Sequence, residues 1–157
     1  IASPNERIEA LVNEQIEQCA EKPSRLAVVC GQARELMRQA DAAIVTSGTA
    51  TLETALIGTP QIIVYKTSRL FYRVARAVLT IRHIGLVNIV AKRTVCPELI
   101  QRDATPESMA DGISRLLTDT AERSEMLAGY EEVRQLLGGR NATENAAEIL
   151  LEGIGGS

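Results

Sequence analysis

Short, continuously apolar runs alternate with amphipathic stretches along this chain. Leu26-Ala27-Val28-Val29-Cys30, Ala42-Ala43-Ile44-Val45 and Gln61-Ile62-Ile63-Val64-Tyr65 read as strands buried on both faces. The stretches between them read as helices. Gly31-Gln32 turns into one with Leu36, Met37 and Ala40 inward, and Thr49–Ile57 forms the next, ended by Gly58-Thr59-Pro60. Upstream, Ser3-Pro4-Asn5-Glu6 reads as a helix opening, with Ser3 as the cap and Pro4 in the first helical position. Ile8, Leu11, Val12 and Ile16 then share one face.

Downstream, residues 68–79 read as helical, 85–90 as a short fourth strand and 97–101 as a single helical turn. Thr105-Pro106-Glu107 opens a helix with Met109, Ile113, Leu116 and Leu117 inward. Another helix is expected over residues 119–137, broken by Gly138-Gly139, and a last one over 141–151, with Asn141 and Glu144 in capping-box spacing. Strands joined by helical crossovers predict an α/β fold: a Rossmann-like parallel sheet with flanking helices and a helical C-terminal tail. Residues 1–152 are expected to form one partial domain and 153–157 a disordered tail.

Composition supports a buried core: 45% of residues are hydrophobic and 24% charged. The net charge of −3 is unevenly distributed, since residues 54–97 contain no acid but hold Lys66, Arg69, Arg73, Arg76, Arg82, Lys92 and Arg93. Cys19, Cys30 and Cys96 are scattered and form no CxxC pair, which fits a reducing compartment. His83 is the single histidine, which excludes a histidine-based metal cluster. No run of about 18 apolar residues reads as a membrane span. Ile1 is not a natural start, so an N-terminal truncation is expected.

The candidate chemistry lies in Ile44-Val45-Thr46-Ser47-Gly48-Thr49-Ala50-Thr51-Leu52-Glu53, where a strand hands over to a helix through a Ser/Gly/Thr turn. Free amides at a helix start, with about half a positive charge from the dipole, suit a phosphate. Gly48 permits close approach, and Ser47, Thr49 and Thr51 add hydroxyls. Glu53, placed in the first helical turn, is within reach of a sugar hydroxyl. Phosphate and ribose together suggest a nucleotide, bound where parallel strands end. Plain N-capping explains the Ser and Thr residues equally well.

Residues 68–79 carry Arg69, Arg73 and Arg76 on one side and Leu70, Phe71, Val74 and Val78 on another. Such a helix suits an anionic membrane surface, and it equally suits packing on its own sheet with a solvated outer face. No aromatic-and-glycine RNA signature accompanies it. Asn88 is polar within an apolar segment and needs partners, either a ligand or the backbone.

In order along the chain, these segments resemble the lipid-A-disaccharide synthase family. The resemblance rests on Gly31-Gln32-Ala33-Arg34-Glu35, on residues 40–53, on Gly58-Thr59-Pro60, on Val64-Tyr65-Lys66 and on Leu86-Val87-Asn88-Ile89, where Val87 replaces the usual Pro. Arg93, Pro97-Glu98-Leu99, Gln101 and Asn141-Ala142-Thr143-Glu144 continue it, so that it covers most of the chain from about Leu26 onward.

The resemblance implies the C-terminal, donor-binding half of a GT-B fold in an inverting hexosyltransferase. Such an enzyme joins UDP-2,3-diacylglucosamine to a lipid monosaccharide phosphate in lipid A biosynthesis. It implies no metal and no cofactor, no nucleic acid partner, and a cytoplasmic site peripheral to the inner membrane of a Gram-negative bacterium. Backbone at Gly48, Thr49 and Ala50 and the hydroxyls of Ser47, Thr49 and Thr51 would hold the diphosphate. Glu53 would bind ribose, Gly31 and Gln32 would lie near uracil, and Asn88 near donor or acceptor. Arg69, Phe71, Arg73 and Arg76 would face lipid.

The family's Gly-Ser-Arg loop and its acceptor domain, with the acidic catalytic residue, have no counterpart here. The chain therefore carries no catalytic residue and is expected to be inactive alone. Exchange of C-terminal parts in the family's dimers adds a homodimer to the expected partners. Two other readings compete: another GT-B sugar-nucleotide enzyme such as a 2-epimerase, and a non-catalytic phosphate-binding α/β module.

Overall fold

In the computed structural model, residues 1–68, 83–118 and 120–138 are described. Two compact units divide the chain, Ile1–Ala40 and the segment from Asp41 onward. The expected helix over 68–79, the one over 141–151 and the tail at 153–157 lie outside the described residues, Ser68 excepted.

The first unit contains β1 (Ala2–Ser3), α1 (Glu6–Glu17), β2 (Val29–Cys30) and α2 (Ala33–Gln39). β1 and β2 pair in parallel, Ala2 with Val29 and Ser3 with Cys30. Ser3 is thus a strand residue and not the helix cap. The cap is Asn5, whose side chain accepts from the Ile8 amide at 3.0 Å. Pro4 consequently stands outside α1. The strand expected over Leu26–Cys30 shrinks to two residues because β1 offers only two partners, and Leu26 is left exposed. α1 buries none of its residues completely.

The second unit is built on a parallel sheet in the order β3-β4-β5. β3 (Ala43–Thr46) leads into α3 (Thr49–Ile57), and β4 (Gln61–Tyr65) follows. These three elements match the sequence reading within one residue. Gly58 ends α3 at φ 101, a left-handed conformation that favours glycine. Beyond β4 come α4 (Leu86–Ala91), β5 (Glu98–Ile100), α5 (Pro106–Leu117) and α6 (Ala121–Gly138). Thr105 caps α5 by accepting from the Ser108 amide at 3.2 Å. Met109, Gly112, Ile113 and Leu116 form its inner stripe, whereas Leu117 is 56% exposed against expectation. Leu117 lies about 100° around the helix from Leu116, off that stripe.

Both faces of β4 are covered, as its continuous apolar run requires, whereas β3 alternates against expectation, with Val45 buried and Ile44 49% exposed. A Cβ at Gly112 would touch Ile62, which places α5 on the Ile62 face. A Cβ at Gly85 would collide with Ile63 Cδ1, which places the start of α4 on the other face. Ile62, Ile63, Val87, Leu116, Tyr130 and Val133 form the buried centre.

Two sequence expectations are interchanged here. The expected strand over 85–90 is instead the helix Leu86–Ala91, and the expected helical turn over 97–101 contains the third strand of the sheet, Glu98–Ile100. Val87, Asn88 and Ala91 are buried while Ile89 is exposed, a helical spacing hidden by the β-branched composition. β5 pairs with β4 in the register Ile63–Glu98, Val64–Leu99 and Tyr65–Ile100.

Asn88 fixes this arrangement. Its Nδ2 donates to Cys96 O and Glu98 Oε1, each at 2.8 Å. Its Oδ1 accepts from the amides of Val95 at 2.8 Å and Cys96 at 2.9 Å. Glu98 in turn accepts from the amides of Ile84 and Gly85 at 3.0 to 3.1 Å, so a strand carboxylate anchors the backbone that leads into α4.

A second buried network joins Gln61, Tyr130, Cys96 and Thr59. Gln61 Nε2 donates to Thr51 O at 2.8 Å, and Tyr130 Oη donates to Thr59 O at 3.2 Å. Cys96 Sγ lies 3.3 Å from Tyr130 Oη. Burial pushes the Cys96 thiol up to about 12 and raises the Tyr130 phenol as well.

Two outcomes follow from these networks. Asn88→Asp removes both hydrogen bonds that Nδ2 donates and sets a second carboxylate against Glu98. It should cost on the order of 3 kcal/mol at neutral pH by urea unfolding. The Cys96 thiol ionises near 9.0 in the unfolded chain but stays protonated when folded, so its contribution is complete below pH 9 and fades between 9 and about 12. Urea midpoints taken across this range should fall with rising pH, and less steeply for Cys96→Val.

Candidate functional site

The C-terminal ends of β3, β4 and β5 share one edge of the sheet, since all three strands run parallel. The turn after β3 opens there. Gly48 has φ 143 and ψ −164, and a Cβ built on it would meet no atom within 4 Å. The backbone angle, and not crowding, is what requires glycine at this position.

Gly48 is the N-cap of α3 and, being glycine, makes no side-chain cap bond to it. The first amides of a helix have no intrahelical acceptor, so those of Thr49 and Ala50 point outward from its start. The inward bonding begins with Thr51, whose amide donates to Gly48 O at 3.2 Å. This arrangement is a partial positive charge with directional donors at the mouth of the sheet.

The three hydroxyls differ in their surroundings. Thr49 is exposed. Ser47 is half-buried, donating its hydroxyl to Ile84 O at 2.7 Å and its amide to Val64 O at 3.0 Å. Thr51 is fully buried and donates its hydroxyl to Gly48 O at 2.8 Å, holding the turn from inside. The Ser47 bond ties this turn to the segment that Glu98 clamps, so the two sets of contacts form one continuous chain.

Glu53 is half-buried and sits in the second turn of α3, since the helix begins at Thr49 and has no acid in its first turn. The expected placement in the first turn is off by one turn because Gly48 caps the helix. Asn88 is fully buried in α4, with its carboxamide satisfied by Glu98 and the backbone of Val95 and Cys96. Of the two partners that the sequence left open for it, these contacts are protein ones.

Gly31 and Gln32 are exposed in the first unit, where Gly31 takes φ 71 after β2 and Gln32 caps α2 without a side-chain bond. Arg69, Phe71, Arg73 and Arg76 lie outside the described residues.

Among the described residues no group of three His, Cys, Asp or Glu could hold a metal ion. No described helix is long and apolar enough to cross a membrane. Among basic groups, Lys66 stands exposed just after β4, while Arg93 is paired with Glu132 through its Nε at 3.0 Å.

Sequence reasoning passed over Glu98 as an organising residue. The available signal was a lone acid in the apolar run Val95-Cys96-Pro97-Glu98-Leu99-Ile100. Gln61 and Tyr130 carried no local signal, because their partners are distant in sequence.

The sheet with helices on both faces is the Rossmann-like architecture of one half of a GT-B fold. Comparison with known proteins agrees with that reading. The family described as "Lipid-A-disaccharide synthetase" matches residues 2–152. The lipid-A-disaccharide synthase of Anaeromyxobacter dehalogenans (strain 2CP-C) is 46% identical over 132 residues, covering 84% of this chain and 34% of that protein. The synthase of Syntrophus aciditrophicus (strain SB) is 45% identical over 129 residues, covering 82% and 34%. That of Geobacter sulfurreducens is 44% identical over 121 residues, covering 77% and 32%. The chain thus spans about a third of the length of the curated relatives that it matches. With a family match over nearly its whole length, this chain belongs to the lipid-A-disaccharide synthetase family.

Proposed function

We propose that this chain is the UDP-sugar donor-binding part of a lipid-A-disaccharide synthase. The whole enzyme would be an inverting hexosyltransferase that joins UDP-2,3-diacylglucosamine to a lipid monosaccharide phosphate. It would work at the cytoplasmic face of the inner membrane of a Gram-negative bacterium. The observation that carries this reading is the start of α3 at the C-terminal edge of the sheet, where the N-cap residue Gly48 makes no side-chain cap bond.

The amides of Thr49 and Ala50, with Gly48 allowing close approach, bind the diphosphate. The Thr49 hydroxyl adds a donor from the exposed side. Ser47 and Thr51 shape the turn through their bonds to Ile84 and Gly48, and the Ser47 oxygen retains lone pairs for a ligand donor. As the bond to the sugar breaks, negative charge grows on the departing UDP, and fixed amides stabilise it without reorganising. Glu53 accepts from the ribose hydroxyls. Asn88 acts by holding Glu98 and the start of α4, which fixes the peptide that receives the Ser47 hydroxyl. The acceptor and its catalytic acid or base belong to the part of the enzyme that this chain does not match. Arg69, Phe71, Arg73 and Arg76 face the lipid surface, and a homodimer that exchanges C-terminal parts suits the family.

Titration of the labelled chain with UDP should move the amide signals of residues 47–53. Their silence at millimolar UDP rejects the reading. Gly48→Val forces a side chain into a left-handed angle and should weaken UDP at least about tenfold. For the membrane claim, the chain should float with anionic vesicles, and substitution of Arg69, Arg73 and Arg76 together should abolish flotation. Equal recovery of both proteins, or no recovery of either, rejects it.

A further inference from the structure

β3, β4 and β5 end level with one another. Thr46 is registered with Val64 and Tyr65 with Ile100. The Gln101 amide donates to Tyr65 O at 2.9 Å, much as the Ser47 amide donates to Val64 O at 3.0 Å. Gln101 therefore stands on the same edge as the Ser47-Gly48 turn, two strands away. At the usual spacing of paired strands that separation is about 10 Å.

Two properties set Gln101 apart. Its backbone has φ 54, in the left-handed region where glutamine has none of the tolerance of glycine or asparagine. Its side-chain Nε2 is buried and has no hydrogen-bond partner among the described residues. The other end of the amide is fixed, since Oε1 accepts from the Thr67 amide at 3.3 Å. That bond decides the orientation, because an NH2 cannot face an N–H donor. A buried amide donor with no acceptor is costly, and here it is combined with an unfavourable backbone angle. Gln61 Oε1 also lacks a partner, but Gln61 is fully buried in the core beside Tyr130 and Met126, away from the strand ends.

We propose that Gln101 is a donor-sugar contact, its Nε2 donating to an oxygen of the hexose carried on the diphosphate at Gly48. The inference rests on the nucleotide-sugar reading above. An uncharged NH2 suits a hydroxyl or an acyl carbonyl oxygen, and a pyranose on the diphosphate bridges the two strand spacings. A ligand without that oxygen leaves the NH2 unpaired, so the residue discriminates between sugar nucleotides and UDP alone.

The test follows the Gln101 side-chain NH2 signal while the labelled chain is titrated separately with UDP and with UDP-N-acetylglucosamine. The sugar nucleotide should shift this signal and UDP should leave it in place. Gln101→Met should weaken the sugar nucleotide about tenfold and leave the affinity for UDP unchanged. Three results would overturn the proposal: an NH2 signal unmoved by the sugar nucleotide, a variant that binds both ligands as the parent does, or a variant that loses both equally. If Gln101→Met fails to fold, the signal of the unsubstituted chain decides alone. Unmoved amides at residues 47–53 with either ligand would instead remove the nucleotide reading, and this proposal with it.

Discussion

The carboxamide of Asn88 holds the second unit in register. It is buried in a six-residue helix whose own cap residue, Gly85, has no side chain to offer. Such a helix is too short to be stable by propensity, so its position has to come from tertiary contacts. Asn88 and Glu98 supply them from both ends. One satisfies the backbone on the approach to β5, and the other satisfies the backbone at the start of α4. Either residue alone would leave buried polar groups unpaired, which gives the pair a cooperative character.

This pair reaches the candidate site through a single peptide. Ile84 donates its amide to Glu98 and receives the Ser47 hydroxyl on its carbonyl. The turn before α3 is thus held from β4 by the Ser47 amide, from Ile84 by the Ser47 hydroxyl, and from within by Thr51. A helix start held at several points presents its amides in one direction without rearrangement. Preorganisation of that kind makes weak partial charges effective toward a diphosphate.

Legibility in the sequence followed the range of the interactions. β3, α3, β4 and α5 are set by local pattern and by caps within a few residues, and these elements were readable. The N-cap of α1 was misread because Ser3, Pro4 and Asn5 all carry helix-start character, and only the pairing of Ser3 with Cys30 decides among them. α4 and β5 were interchanged because Leu86-Val87-Asn88-Ile89-Val90 has strand composition, while the free edge of β4 selects Glu98-Leu99-Ile100 instead. The family resemblance located the Gly48 turn but carried no information on how Glu98 anchors the backbone leading into α4. The isolation of Gln101 Nε2 was invisible as well, since it depends on Thr67 occupying the other end of the amide.

The polar groups in the core raise a last point about rigidity. Gln61, Thr51, Thr59, Cys96 and Tyr130 could be replaced by apolar residues of similar size, and packing would not suffer in principle. Their bonds are directional where dispersion contacts are not. Gln61 fixes the first turns of α3 through Thr51 O, and Tyr130 fixes the Thr59 carbonyl just beyond the end of the same helix. α3 is therefore located along its axis as well as across it. For a helix whose first amides are proposed to meet a ligand, axial position is the coordinate that matters, because an amide displaced by a fraction of an ångström along the axis loses its hydrogen-bond distance while the packing around it hardly changes.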